Sequence, residues 1–201
     1  MGAKQEVEER FLKDVANHEM TVIRNEGTSR HIRFRKPGTI CYGFDLVTWP
    51  GLLCYTGDMG TYVFSRIPDM FEFFRCQDGK DLFTISTGYW AEKVLSADRD
   101  GVRKFSSEKF ISVTKEYFND VIEDLPKEER EALLERLEEE VLSLAYDADY
   151  PAMRAAIEFE HEGRLLMQDF WEVNCEEYTS TFLWCCYAIQ WGISVYDKDG
   201  E

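Results

Sequence analysis

Apolar residues recur at helical spacing at the start of the chain and then switch to alternation. Over residues 4–16, Val7, Phe11, Leu12 and Val15 share one stripe, which predicts a short amphipathic helix. His31-Ile32-Arg33-Phe34-Arg35 alternates polar and apolar positions, and Ile40, Tyr42, Phe44 and Leu46 continue the alternation beyond Pro37-Gly38. Trp49-Pro50-Gly51 reads as a turn. Leu52 to Thr56 and Thr61 to Ser65 read as a hairpin across Gly57-Asp58-Met59-Gly60. Alternating segments joined by short turns predict an antiparallel sheet over about residues 20–86, with residues 82–86 as its last strand. Asp69 is placed to cap a short helix beginning at Met70.

Beyond that strand the pattern reads as helical to the end, with Tyr89 to Leu95 as the first turns. Ser106 or Ser107 can cap a helix in which Phe110, Val113, Tyr117, Phe118, Val121 and Ile122 recur at helical spacing. Pro126 suits a first helical turn, and the helix behind it should bury Leu133, Leu134, Leu137, Val141 and Leu144. Two more helices are expected at roughly 151–162 and 176–192, joined by Gly163 to Asn174. The expected class is α+β: an N-terminal helix, an antiparallel sheet, and a C-terminal helical bundle packed on it. No repeat or low-complexity linker interrupts residues 1–201, which gives the expectation of a single domain.

Charge sharpens this picture. The net charge is -16, with a pI near 4.6. Residues 1–100 carry thirteen Lys and Arg against fifteen Asp and Glu; residues 101–201 carry ten against twenty-four. A sheet-rich half near neutrality is thus followed by an acidic helical half. Such a surface repels nucleic acid and anionic membranes and attracts basic protein surfaces.

The acidity has a pattern. Glu128, Glu131, Glu135 and Glu138 form one stripe opposite the leucine face, about 15 Å long at 1.5 Å per residue. Glu123, Asp124, Glu139 and Glu140 thicken it. Between Glu116 and Glu140 stand eleven acids and only Lys127, Arg130 and Arg136. Like charges at helical spacing weaken a helix by a few tenths of a kcal/mol each, so an uncompensated stripe is tolerated or used. Glu158, Glu160, Glu162, Asp169, Glu172, Glu176 and Glu177 make a second cluster, relieved by Arg164. A basic strip (Arg24, Arg30, Arg33, Arg35, Lys36) lies in the sheet-rich half, where pairing with the acidic helices, within the fold or across a homodimer, is expected.

Catalytic signatures are weak. Gly57-x-x-Gly60 is a turn and not a phosphate loop. Glu158-x-x-His161 has di-iron spacing but no second copy. Cys185 and Cys186 are adjacent, about 100° apart on a helix, and read as core. Three histidines leave no recognisable triad. Asp45, Asp58 and Glu72 are the carboxylates that could serve as acid/base groups or metal ligands. The expectation is a non-enzymatic protein with no metal and no cofactor. The six cysteines, the absence of a signal-type segment and a longest apolar run of only Phe182 to Ile189 favour reduced thiols, a cytoplasmic location and no membrane span.

The stretch from Cys41 to Arg75 and the ending from Glu177 to Asp197 resemble an uncharacterised family of bacteriophage and prophage accessory proteins. The resemblance carries no functional residues over. It implies a phage-borne protein in the host bacterial cytoplasm, where acidic phage proteins inhibit defence machinery of CRISPR or restriction type. The leading reading is an anti-defence inhibitor acting as a DNA mimic. It would bind the basic surface of a host nucleic-acid-binding complex through Glu128, Glu131, Glu135, Glu138, Glu139, Glu123 and Asp124, without binding nucleic acid itself. Trp49, Tyr55 and Tyr62 are candidate interface anchors. A metal-dependent hydrolase and an adaptor whose acidity serves only solubility are the alternatives.

Overall fold

The computed structural model describes residues 3–76, 84–146 and 149–199. The fold is α+β, and the chain divides into two compact units: Met1–Val102 with Tyr178–Glu201, and Arg103–Glu177.

The first unit is built on a six-stranded antiparallel sheet in sequential order. Its strands are β1 (Glu19–Glu26), β2 (Ser29–Arg35), β3 (Phe44–Trp49), β4 (Leu52–Gly57), β5 (Gly60–Ser65) and β6 (Val94–Ala97). Alternation sends Ile32, Phe34, Phe44, Leu46, Leu53, Tyr55, Tyr62 and Phe64 to one face, where all are fully buried. Four helices supply the rest of this core among the described residues: α1 (Ala3–Val15) with Phe11 and Val15, α2 (Met70–Phe74) with Phe71 and Phe74, α3 (Thr87–Ala91) with Trp90, and the C-terminal α7 (Ser180–Asp199). Trp184 of α7 meets the Phe11 ring edge-on at 5.0 Å and donates its Nε1–H to Asp14 at 3.0 Å. Gly192 lets α7 approach the sheet: a Cβ there would stand 3.0 Å from both Leu46 Cδ1 and Phe34 Cε2.

Several expectations change here. Leu12 is 43% exposed, because the buried stripe of α1 runs through Val7, Phe11 and Val15 only. Ile40 and Tyr42 do not extend the alternation. They lie in a turn closed by Gly43 N–H to Ile40 O at 2.9 Å, with Tyr42 at φ 55° and Ile40 71% exposed. Tyr55 and Tyr62 are core residues and not anchors, since both are 0% exposed. Residues 82–83 lie outside the described residues, and 84–86 form no strand. The sixth strand comes later, after α3 (Thr87–Ala91), where continuous helix was expected through Leu95.

The second unit begins with β7 (Arg103–Phe105), then α4 (Ser107–Val121), capped by Ser106 Oγ accepting from Lys109 N–H at 3.2 Å. Then follow α5 (Lys127–Glu140), a 3-10 turn (Leu142–Tyr146) and α6 (Asp149–Glu158). A small hairpin comes next, β8 (Glu160–His161) and β9 (Arg164–Leu165), turning over Glu162 and Gly163, which have φ 50° and 76°. This turn ends α6 earlier than periodicity suggested. The last strand, β10 (Glu176–Tyr178), pairs with β7, so α7 starts at Ser180 and not at residue 176. Phe110, Phe118, Leu133, Leu137, Ala152, Phe159 and Phe170 form a core of this unit's own.

Candidate protein-interaction surface

The division into units concentrates the charge. Arg103–Glu177 holds nine Lys and Arg against twenty-one Asp and Glu, net -12, which leaves -4 for the whole of the other unit.

Helix α5 carries the centre of this charge. Leu133 and Leu137 are buried, and Glu128, Glu131, Glu135, Glu138 and Glu139 are all exposed. At 3.6 residues per turn these five span an arc of about 100°, opposite the two leucines. Glu123 and Asp124 are exposed between α4 and α5. Two of the seven residues are paired: Glu138 with Lys115, and Glu131 with Lys127 at 3.7 Å. Glu123, Asp124, Glu128, Glu135 and Glu139 form no ion pair with a described residue.

The helix bears this charge at an electrostatic cost. Glu128 and Glu129 sit in the first turn, where the helix dipole favours them. The last turn has no basic residue, yet it holds Glu138, Glu139 and Glu140 beside the carbonyl end. Arg136 brackets Glu140 at 2.8 and 3.1 Å. No described cation reaches Glu139 in this way. Glu129 takes a 2.6 Å contact from His161 Nε2. That contact splits the Glu158-x-x-His161 pair, because Glu158 is held by Arg154 at 2.8 Å.

Four members of the basic strip, Arg24, Arg30, Arg33 and Arg35, find acidic partners within the first unit, where pairing with acidic helices of the fold was expected. Arg30 makes a bidentate pair with Asp69 at 2.7 and 2.8 Å, while Arg24 pairs with Glu26 at 2.7 Å. On the open sheet face, Asp45 receives Arg33 at 2.9 Å and His31 Nε2 at 2.6 Å, with Arg35 at 3.7 Å. Burial alone would raise the Asp45 carboxyl. The bonds from Arg33 and His31 outweigh it and hold the group below the ordinary carboxylate range. Asp58 accepts the Tyr42 N–H at 2.9 Å in the β4–β5 turn, and Glu72 is exposed on α2. Asp45, Asp58 and Glu72 therefore occupy three separate settings. Among the described residues no three His, Cys, Asp or Glu side chains gather as a metal site.

Sequence reasoning passed over three aromatic residues of the acidic unit, Tyr146, Tyr150 and Trp171, all more than half exposed. The available signal was their company: Tyr150 follows Asp149 and Trp171 precedes Glu172, in segments too polar to be core.

No protein-family model, curated protein or solved structure matches this chain. No described helix is long and apolar enough to cross a membrane.

Proposed function

We propose that this is a non-enzymatic binding protein. Its acidic unit docks on the basic, nucleic-acid-handling surface of a host complex and competes with nucleic acid there. The observation that carries the reading is the exposed glutamate arc of α5, where three of five carboxylates have no described cationic partner and the last helical turn holds no basic residue. Charges spaced about 5 Å along a 15 Å stripe approach the linear density of a nucleic-acid strand, whose phosphates advance 3.4 Å. The phage setting and a CRISPR- or restriction-type target rest on the sequence resemblance. The hydrolase alternative loses ground because the Asp45 oxygens are already taken by Arg33 and His31.

Reversing Glu128, Glu131, Glu135 and Glu138 to Lys tests the reading. The change moves local charge by eight units and leaves the leucine face intact. Wild-type protein should capture a basic complex from host lysate, release it as salt rises and the Debye length falls from about 10 Å to 3 Å, and lose it to added DNA. The reversed protein should capture nothing. Equal capture by both proteins, or capture that DNA never disturbs, would rule out mimicry by this helix and favour acidity for solubility.

A further inference from the structure

The acidic unit has a pocket that the glutamate arc does not use. It is a cleft of about 520 Å³, lined by Phe105, Tyr150, Met153 and Trp171, with Asp149, Glu172 and Glu176 also on its wall. That size lies inside the range of small-ligand clefts, about 300–1,000 Å³. We propose that this pocket seats an arginine or lysine side chain projecting from a basic polypeptide. The proposal rests on the acidic-surface reading above and gives it an anchor point.

Three observations converge. Trp171 is 63% exposed and Tyr150 70% exposed, a poor use of large rings unless something covers them. Among the described residues no Lys or Arg lines the cleft, and Asp149 and Glu172 form no ion pair with a described residue. Of the cations in this unit, Arg154 is held by Glu158 at 2.8 Å, and Lys109 Nζ donates to the Glu176 carbonyl at 2.9 Å. A cationic side chain answers all three. Its aliphatic stem lies along Met153 and Val173, its head rests over an aromatic face, and the carboxylates complete its charge. An anionic ligand would meet three carboxylates instead.

The walls are pinned before any partner arrives, so little ordering remains to oppose binding. Asp149 Oδ1 accepts the Tyr150 N–H at 2.7 Å and Asn174 Oδ1 the Glu176 N–H at 2.8 Å. Ser106 N–H donates to the Cys175 carbonyl at 3.0 Å, and Val173 N–H to Phe170 O at 3.0 Å.

The test is calorimetric titration of the full-length protein with an N-acetylated tetra-arginine amide and its tetra-citrulline counterpart, which keeps shape and loses charge. The arginine peptide should bind and the citrulline peptide should not. Trp171→Ala should weaken binding about three- to thirtyfold, the range for a cation over an indole face, and Trp171→Tyr should restore part of it. Asp149→Asn with Glu172→Gln should also weaken it, and Asn keeps the role of Asp149 at the helix start. Both sites are exposed, so melting temperatures should stay at the wild-type value. Arginine-peptide affinity unchanged within twofold in Trp171→Ala, or equal binding of citrulline, overturns the proposal. The two readings separate on the α5 reversal variant. Binding lost on reversal but indifferent to Trp171 leaves the acidic surface standing and removes the pocket. Trp171-dependent binding that survives reversal supports the pocket alone. No binding by wild-type protein removes it.

Discussion

Replacing Asp69 with alanine removes a bidentate ion pair and a helix cap in one substitution. The side chains of Arg30 and Asp69 are only 11% and 19% exposed, and they meet at 2.7 and 2.8 Å. Asp69 Oδ1 also accepts the Phe71 N–H at 3.0 Å, closing the start of α2. Breaking a buried pair by removing one partner costs about 3–5 kcal/mol, and a lost cap about 1 kcal/mol. Residual solvent access and the cation–π seat of Arg30 over Phe71, 4.7 Å from its centroid, soften the loss. Asp69→Ala should therefore cost about 3–4 kcal/mol at neutral pH, and Asp69→Asn, which keeps the cap, about 2–3 kcal/mol. A urea-denaturation cycle with Arg30→Ala should return a coupling energy of about 2 kcal/mol. The pH dependence has a definite sign. The Arg30 bond holds the Asp69 carboxyl below its ordinary value. Its stabilisation is thus complete above the unfolded pKa near 3.9 and disappears as pH falls through the lower folded value. The cost of Asp69→Asn should shrink on acidification toward about pH 2. A cost under about 0.5 kcal/mol at pH 7, or one that does not change with acid, would refute the reasoning.

Trp184→Ala should cost about 3–5 kcal/mol in the same denaturation assay, because its indole is 1% exposed and also holds Asp14; a melting temperature within a degree of wild type would contradict that. Cys185 and Cys186 are fully buried with thiols pushed well up by burial, so a thiol reagent should label exposed Cys41 in native protein and leave these two until urea is added. Gly57→Ala should destabilise the β3–β4 edge, since a Cβ there would stand 2.3 Å from the Gly43 carbonyl oxygen; an unchanged urea midpoint would show that the loop yields freely.

Legibility followed burial. Strands β2 to β5 could be read because one face is buried and one open, which writes alternation into the chain. Strand β1 escaped because it is an edge, exposed at nearly every position, so Val22 and Ile23 give no period. Strand β6 and the β8–β9 hairpin are too short for periodicity to outweigh neighbouring helical apolar residues. The glutamate arc of α5 was visible because helix geometry alone places it. The aromatic pocket was not. Phe105, Tyr150 and Trp171 come from three stretches far apart in sequence, and only folding makes them neighbours. The two-unit division was equally hidden, because the insertion begins and ends on short strands, β7 and β10, and not on a linker with its own composition.

That insertion sets an order of events during synthesis. The sheet of the first unit is finished at Ala97, yet the helix that covers its aromatic face starts only at Ser180. At about 5–20 residues per second the intervening stretch takes roughly 4–16 s to make. Through that interval Phe34, Phe44, Tyr55 and Phe64 are without α7, and only at its end does the acidic unit have all of its own core. A ribosome stalled just before Ser180 would release a chain with one completed unit and one open apolar face, so degradation of such chains should begin from the sheet.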